Sequence, residues 1–175
     1  LLDWNLLLDW RLKPRAGQTT FNDLYSVISF HPRTWIALDS QLRYDINGNN
    51  LNLAFHQITF TPNNRWSWGL GHWYLRNGFI DGGSDFFTST VFYRMNDNWG
   101  VRATHYFDAG SGRLQEQFYT LYRDLRSWTG ALTFRVTDNV GSRTDYTVAF
   151  TFSLKARPRY KLGDDTVRPY DLIGQ

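Results

Sequence analysis

From Tyr146 to Leu154 the sequence reads YTVAFTFSL: Tyr146, Val148, Phe150, Phe152 and Leu154 alternate with Thr147, Ala149, Thr151 and Ser153. Large apolar side chains at every second position, with small polar ones between, fit a β-strand whose two faces meet different surroundings. The pattern recurs along the chain. Leu2, Trp4, Leu6, Leu8, Trp10 and Leu12 alternate with Asp3, Asn5, Asp9, Arg11 and Lys13, with Leu7 the exception. Ile36, Leu38, Leu42 and Tyr44 oppose Asp39, Gln41, Arg43 and Asp45; Trp66, Trp68, Leu70 and Tyr74 oppose Ser67, Gly69 and Gly71. Trp99, Val101, Ala103 and Phe107 oppose Arg102, Thr104 and Tyr106, and Trp128, Leu132, Phe134 and Val136 oppose Thr129, Thr133 and Arg135. Fainter stretches at 24–30, 51–60, 86–94 and 114–123 bring the expectation to ten strands.

A second regularity sets their spacing. Trp4, Trp35, Trp66, Trp99 and Trp128 are separated by 31, 31, 33 and 29 residues. The last four follow short polar turns, such as Thr61-Pro62-Asn63-Asn64-Arg65 and Met95-Asn96-Asp97-Asn98. Between them lie longer, Gly-rich breaks at 14–20, 46–50, 76–85, 108–113 and 137–145. Each period is two strands of about ten residues with a short and a longer connection. Trp35 shares the parity of Asp39 and Gln41, so the pattern needs either a bulge or a ring placed in the turn. The acidic residues are fifteen Asp and one Glu (Glu116), a choice suited to turns and strands.

Alternation also explains a paradox of composition. Aromatic residues make up 18% of the chain, yet the mean hydropathy is −0.48. If each strand gives half its residues to an apolar surrounding and half to water, that average carries no information. Two surroundings fit: a soluble sandwich or barrel with the apolar face inward, or an outer-membrane barrel with the apolar face toward lipid. Trp and Tyr at strand ends, strands of nine to eleven residues, and turns alternating between short and long favour the membrane barrel. Asp39, Arg43, Arg94, Arg102, Arg123 and Arg135 are then expected on a wet interior face, and Trp4, Trp66, Trp99 and Trp128 at the bilayer interface. Residues 1–154 would form an antiparallel, up-and-down transmembrane β-barrel segment. Residues 155–175, with Pro158, Pro169 and five basic residues, would be a periplasmic tail.

Several chemistries are excluded. With no cysteine there is no disulfide framework and no thiolate metal site. His31, His56, His72 and His105 have no metal-ligand spacing, no nucleophile motif is present, and no cofactor is expected. Net charge is +3, too small to argue for nucleic acid. One constellation carries a competing hydrolase expectation: His72 and His105, toward the outer strand ends, lie near Asp81, Asp85 and Asp108. A catalytic base there needs a carboxylate within about 3 Å.

The segments Tyr93-Arg94-Met95-Asn96-Asp97-Asn98-Trp99, Tyr122-Arg123-Asp124-Leu125-Arg126-Ser127-Trp128 and Phe150-Thr151-Phe152-Ser153-Leu154-Lys155-Ala156 resemble the C-terminal end of the LptD family, the organic solvent tolerance proteins. The resemblance covers roughly residues 90–156 and implies a non-enzymatic role. Family members deliver lipopolysaccharide to the outer leaflet of the bacterial outer membrane through a lumen that opens between first and last strands. They work with a plug lipoprotein (LptE) and periplasmic bridge proteins. By resemblance, Tyr146, Val148, Phe150, Phe152 and Leu154 would be the terminal strand, one lip of that gate and the signal read by the barrel-assembly machinery.

The chain departs from the family in lacking cysteine at the turn Arg126-Ser127, and in size. Ten strands enclose too little space for a multi-acyl lipid. The chain is therefore expected to be part of a larger barrel, completed by a missing segment or another chain. The alternative is a self-contained ten-stranded barrel acting as a small pore or structural protein. Strand one paired with strand ten would support that alternative; open edges would support the larger wall.

Overall fold

The structure, a computed structural model, describes residues 1–17, 19–76, 83–139, 141, 143–155 and 161–162. These form one antiparallel sheet in sequence order: β1 (Leu2–Trp10), β2 (Phe21–Arg33), β3 (Ile36–Asp45), β4 (Asn50–Asn63), β5 (Trp66–Leu75), β6 (Ser84–Arg94), β7 (Trp99–Asp108), β8 (Arg113–Asp124), β9 (Trp128–Thr137), β10 (Asp145–Leu154) and the two-residue β11 (Lys161–Leu162). Each strand pairs with its neighbours in sequence, and β1 makes no pairing with β10. The chain is all-β and up-and-down, and the sheet is open. β11 adds to the ten strands expected, pairing Leu162 with Phe152 and Lys161 with Ser153. Asp81, and most of the expected tail, lie outside the described residues.

The strands follow the alternation, but three are longer than nine to eleven residues: β2, β4 and β8 have 13, 14 and 12. In β2 and β4 the extra length has one cause. Pro32 and Pro62 lack the N–H a regular ladder needs, and the register shifts between Phe30 and Arg33 and between Phe60 and Asn63. The ladder resumes beyond each proline, carrying both strands up to two-residue turns at 34–35 and 64–65. Trp35 sits in the first of these turns, which accounts for its broken parity.

Asn and Asp side chains set the turns. At the short-turn edge Asn63 Oδ1 accepts hydrogen bonds from the amides of Arg65 (2.8 Å) and Trp66 (3.2 Å). Asn96 Oδ1 does the same for Asn98 and Trp99, both at 2.9 Å. At the opposite edge Asp45 accepts from the amides of Asn47 and Gly48, and Asp108 from Gly110 and Ser111. The four-residue loops 46–49 and 109–112 each close on a left-handed residue, Asn49 (φ 52°) and Gly112 (φ 67°). Such a φ is open to glycine and tolerated by asparagine.

Residues directly opposite across an antiparallel pair share a face, so the register sorts the side chains. One face carries Trp4, Ile28, Leu38, Ile58, Trp68, Val91, Val101, Leu121, Leu132 and Phe150. The other carries Asp39, Gln57, Thr90, Thr104, Thr120, Thr133 and Thr151. Burial is inverted relative to a water-soluble domain. Thr133 and Ser67 are 3% exposed on the polar face, while Val148 is 69% and Leu132 44% exposed on the apolar one. A small apolar cluster of Phe92, Tyr122 and Ala131 lies within the polar face, near the short turns. The Phe92 ring lies over Gly100, where a Cβ would come within 3.1 Å of it.

Candidate functional site

Three features hold the residues singled out by sequence: the short-turn edge, the polar face and the two open ends of the sheet. Trp66, Trp99 and Trp128 are the first residues of β5, β7 and β9, and Trp4 is the third of β1. All four occupy the apolar face at the short-turn edge. Gly130 makes room for one of them, since a Cβ there would come within 2.9 Å of the Trp128 ring.

The polar face carries Asp39, Arg43, Arg94, Arg102 and Arg135, spread from β3 to β9. Arg43 pairs with Asp23 and Arg135 with Glu116. Ser29 donates to Asp39 at 2.6 Å. Arg102 is 7% exposed, its guanidinium 5.4 Å from the centre of the Tyr122 ring. Threonine hydroxyls connect neighbouring strands, Thr90 to Thr104 at 3.2 Å and Thr120 to Thr133 at 2.9 Å. A hollow of about 250 Å³ opens among Gln57, Ser67, Gly69, Thr88, Arg102 and Tyr106.

Arg123 falls elsewhere. It lies opposite Trp99 and Gly130 on the apolar face, its guanidinium 4.7 Å from the Trp99 ring centre. The reason is parity: with Tyr122 on the polar face its neighbour must point the other way. At the strand end that placement costs little, because a long side chain lies along a ring and keeps its head at the edge.

The turn after β8 ties three strands together. Asp124 accepts from the Thr129 hydroxyl (3.2 Å) and pairs with Lys155 Nζ at 2.6 Å. The Leu125 amide donates to the Trp128 carbonyl, and the Lys155 amide to that of Ser127. The end of β10 is thereby fixed to the Tyr122–Trp128 segment. Sequence reasoning singled out the motif and missed the Lys155 contact, which only the register of β10 reveals.

At the open ends, Tyr146, Val148, Phe150, Phe152 and Leu154 form the apolar side of β10. Among the described residues its outer edge is met by β11 at Phe152 and Ser153 only. Across the sheet, Leu2, Trp4, Leu6, Leu8 and Trp10 are 47–63% exposed. Among the described residues nothing pairs with the outer edge of β1.

His56, His72 and His105 occupy the apolar face, in its half toward the longer loops. His72 Nε2 lies 2.9 Å from Asp85 Oδ1, His56 Nδ1 is 2.9 Å from Ser40 Oγ, and His105 Nε2 is 3.1 Å from the Tyr119 hydroxyl. The His56 and His72 rings stack with centres 5.7 Å apart. His72 meets the distance condition for a carboxylate-oriented base; His105 has no carboxylate partner among the described residues. No group of three ligands that could hold a metal occurs among them either.

Compared with models of known families and with curated proteins, the chain matches none.

Proposed function

We propose that this chain is a stretch of the wall of an outer-membrane β-barrel larger than ten strands, serving delivery of lipopolysaccharide to the outer leaflet. The observation that carries the wall reading is inverted burial on an open sheet: Thr120, Thr133, Thr151 and Arg102 covered on one face, Trp4, Leu132 and Val148 exposed on the other, and, among the described residues, the outer edge of β1 unpaired and that of β10 met only at Phe152 and Ser153. Lipid stabilises such an apolar face; water does not. A long apolar edge strand without a partner invites aggregation, so a wall that continues is the arrangement in which β1 and β10 are stable.

The lipopolysaccharide role rests on the resemblance of the Tyr122–Trp128 turn and the terminal strand to the LptD family. On this reading the polar face lines the lumen and β10 is one lip of the lateral opening. A plug lipoprotein, periplasmic bridge proteins and the barrel-assembly machinery are the partners. The test is photo-crosslinking in growing cells, with a photoreactive residue at Thr120 or Thr133 on the polar face. Lipopolysaccharide adducts there, and none from the apolar-face position Leu132 beyond bulk lipid labelling, are the expected result. A polar face that captures no lipopolysaccharide overturns the role.

A second reading has one observation behind it. The 2.9 Å His72–Asp85 contact fits a rim-sited hydrolase. The pair, however, faces the apolar side, with His72 stacked 4.5 Å from the Phe87 ring centre, where a substrate in water does not reach it. Full hydrolytic activity lost on His72→Ala would restore that reading.

A further inference from the structure

Glycine inside a strand weakens it, and it is kept where a neighbouring group or a ligand comes close to the backbone. β5 carries two on the polar face, Gly69 and Gly71. Gly71 has a reason within the chain, since a Cβ there would collide with the Thr88 hydroxyl. Gly69 has none. Apart from its chain neighbours, the nearest atom to where its Cβ would stand is the Thr90 carbonyl oxygen, 4.0 Å away. The ladder is regular at this rung as well, with Thr59 and Thr90 directly opposite. The space that Gly69 leaves is one the protein does not fill.

The polar groups around that space are unspent. Elsewhere on the polar face threonines satisfy one another across strands, Thr90 with Thr104 and Thr120 with Thr133. Gln57, Thr59 and Thr88 instead face the two glycines, and their side chains make no hydrogen bond among the described residues. Ser67, two residues along β5 from Gly69, is 3% exposed, and its hydroxyl likewise has no partner among them. A covered hydroxyl left open is costly unless water or a ligand meets it.

All of these groups line one recess, the hollow of about 250 Å³, and the rings of Phe55 and Tyr106 border it. Arg102 is the one charged residue of the lining, and its guanidinium lies toward the Tyr122 ring. A strongly anionic group would find too little positive charge here, and a hydrocarbon would leave the hydroxyls unmet. A sugar ring fits both halves of the lining, with hydroxyls at its edge for the side chains and C–H groups on its faces for the aromatic rings. Sites for drug-sized ligands begin near about 300 Å³, so the recess holds a single ring.

We propose that this recess is a saccharide seat, in which one sugar ring lies over the backbone of Gly69 and bonds to Gln57, Thr59, Ser67 and Thr88. The inference rests on the reading of the polar face as a lumen lining and names the chemistry which that lining selects. The sugar portion of a lipopolysaccharide and a free oligosaccharide present the same groups to it.

The test is saturation-transfer NMR on the full-length protein in nanodiscs, with two soluble probes: maltotriose, and the core oligosaccharide released from rough lipopolysaccharide by mild acid. Transfer to sugar C–H protons of either probe is the expected result. Core oligosaccharide alone ties the seat to lipopolysaccharide, and maltotriose alone ties it to passage of free sugars. Gly69→Val fills the recess with a residue that suits a strand. It should weaken binding at least tenfold while the urea midpoint holds or rises. Gln57→Ala with Ser67→Ala, which leaves the backbone alone, should weaken binding as well. No transfer to either probe, or variants that bind like the parent, overturns the seat. Lipopolysaccharide adducts at Thr120 or Thr133 would then still uphold the delivery role. Sugar binding without those adducts removes the delivery role and leaves the seat standing.

Discussion

At the scale of single residues, the clearest determinants are those that close turns. Gly112 holds φ 67° with nothing within 4 Å of where a Cβ would stand, so its role is conformational alone. Gly112→Ala should therefore destabilise by about 1 kcal/mol, the cost of forcing a side chain into the left-handed region. Asn49→Gly, at the matching loop position, relieves the same strain but removes the Oδ1 that accepts the Tyr44 hydroxyl, so little net change is expected. Urea unfolding of the protein in vesicles measures both, and an unchanged Gly112→Ala midpoint would remove backbone strain from the account. Space is the issue at Gly100 instead. Its missing side chain admits the Phe92 ring, and Gly100→Val should cost about 1–3 kcal/mol by overpacking. Because Phe92 and Tyr122 meet edge to face with centres 6.3 Å apart, that loss should be largely absent in a Phe92→Ala background. A double-mutant cycle shows whether it is.

Among elements, the β8–β9 turn joins strands that the ladder alone would leave to slide. Asp124 is shared by Thr129 and Lys155 and holds the end of β10 against the start of β9. Asp124→Asn should free that end, raising amide exchange at 153–155 with little change at 132–136. Uniform protection across both segments would mean the ladder suffices. How much of this was legible beforehand depends on period. β1, β3, β5, β7, β9 and β10 alternate closely, with Leu7 the exception, and their positions follow from it. The even-numbered strands carry apolar residues on both faces, as at Phe92-Tyr93, so only the thirty-residue spacing located them. Parity placed Asp39, Arg43, Arg94, Arg102 and Arg135 on one face. It failed at Arg123 because two adjacent strand residues, Tyr122 and Arg123, are both amphipathic and the sequence does not say which turns toward the polar side. The pairing of His56 with His72 depended on the β4–β5 register, which a bulge at Pro62 shifts and no local pattern encodes.

For the whole molecule, the decisive property is what the end strands do. Ten strands closed on themselves give a narrow interior filled by side chains, and the polar face would then be a plugged core. The same strands left open give a curved portion of a wider wall, and the polar face becomes a lumen lining able to pass a large solute. The two differ at one seam. In a self-contained barrel β1 and β10 are neighbours, and cysteines at Asn5 and Ala149, or one rung either side, come within the 4.4–6.8 Å Cα separation that a disulfide requires. In a larger wall those positions stand apart, and each meets a strand from elsewhere. Oxidation of such paired-cysteine variants in isolated outer membranes should yield no intrachain disulfide, while a photoreactive residue at Asn5 or Ala149 captures protein outside residues 1–155. An efficient Asn5–Ala149 disulfide would make the chain its own barrel and exclude lipopolysaccharide from its interior. The bare apolar side chains of β10, with Tyr146 and Val148 both 69% exposed, would then be an ordinary lipid-facing seam.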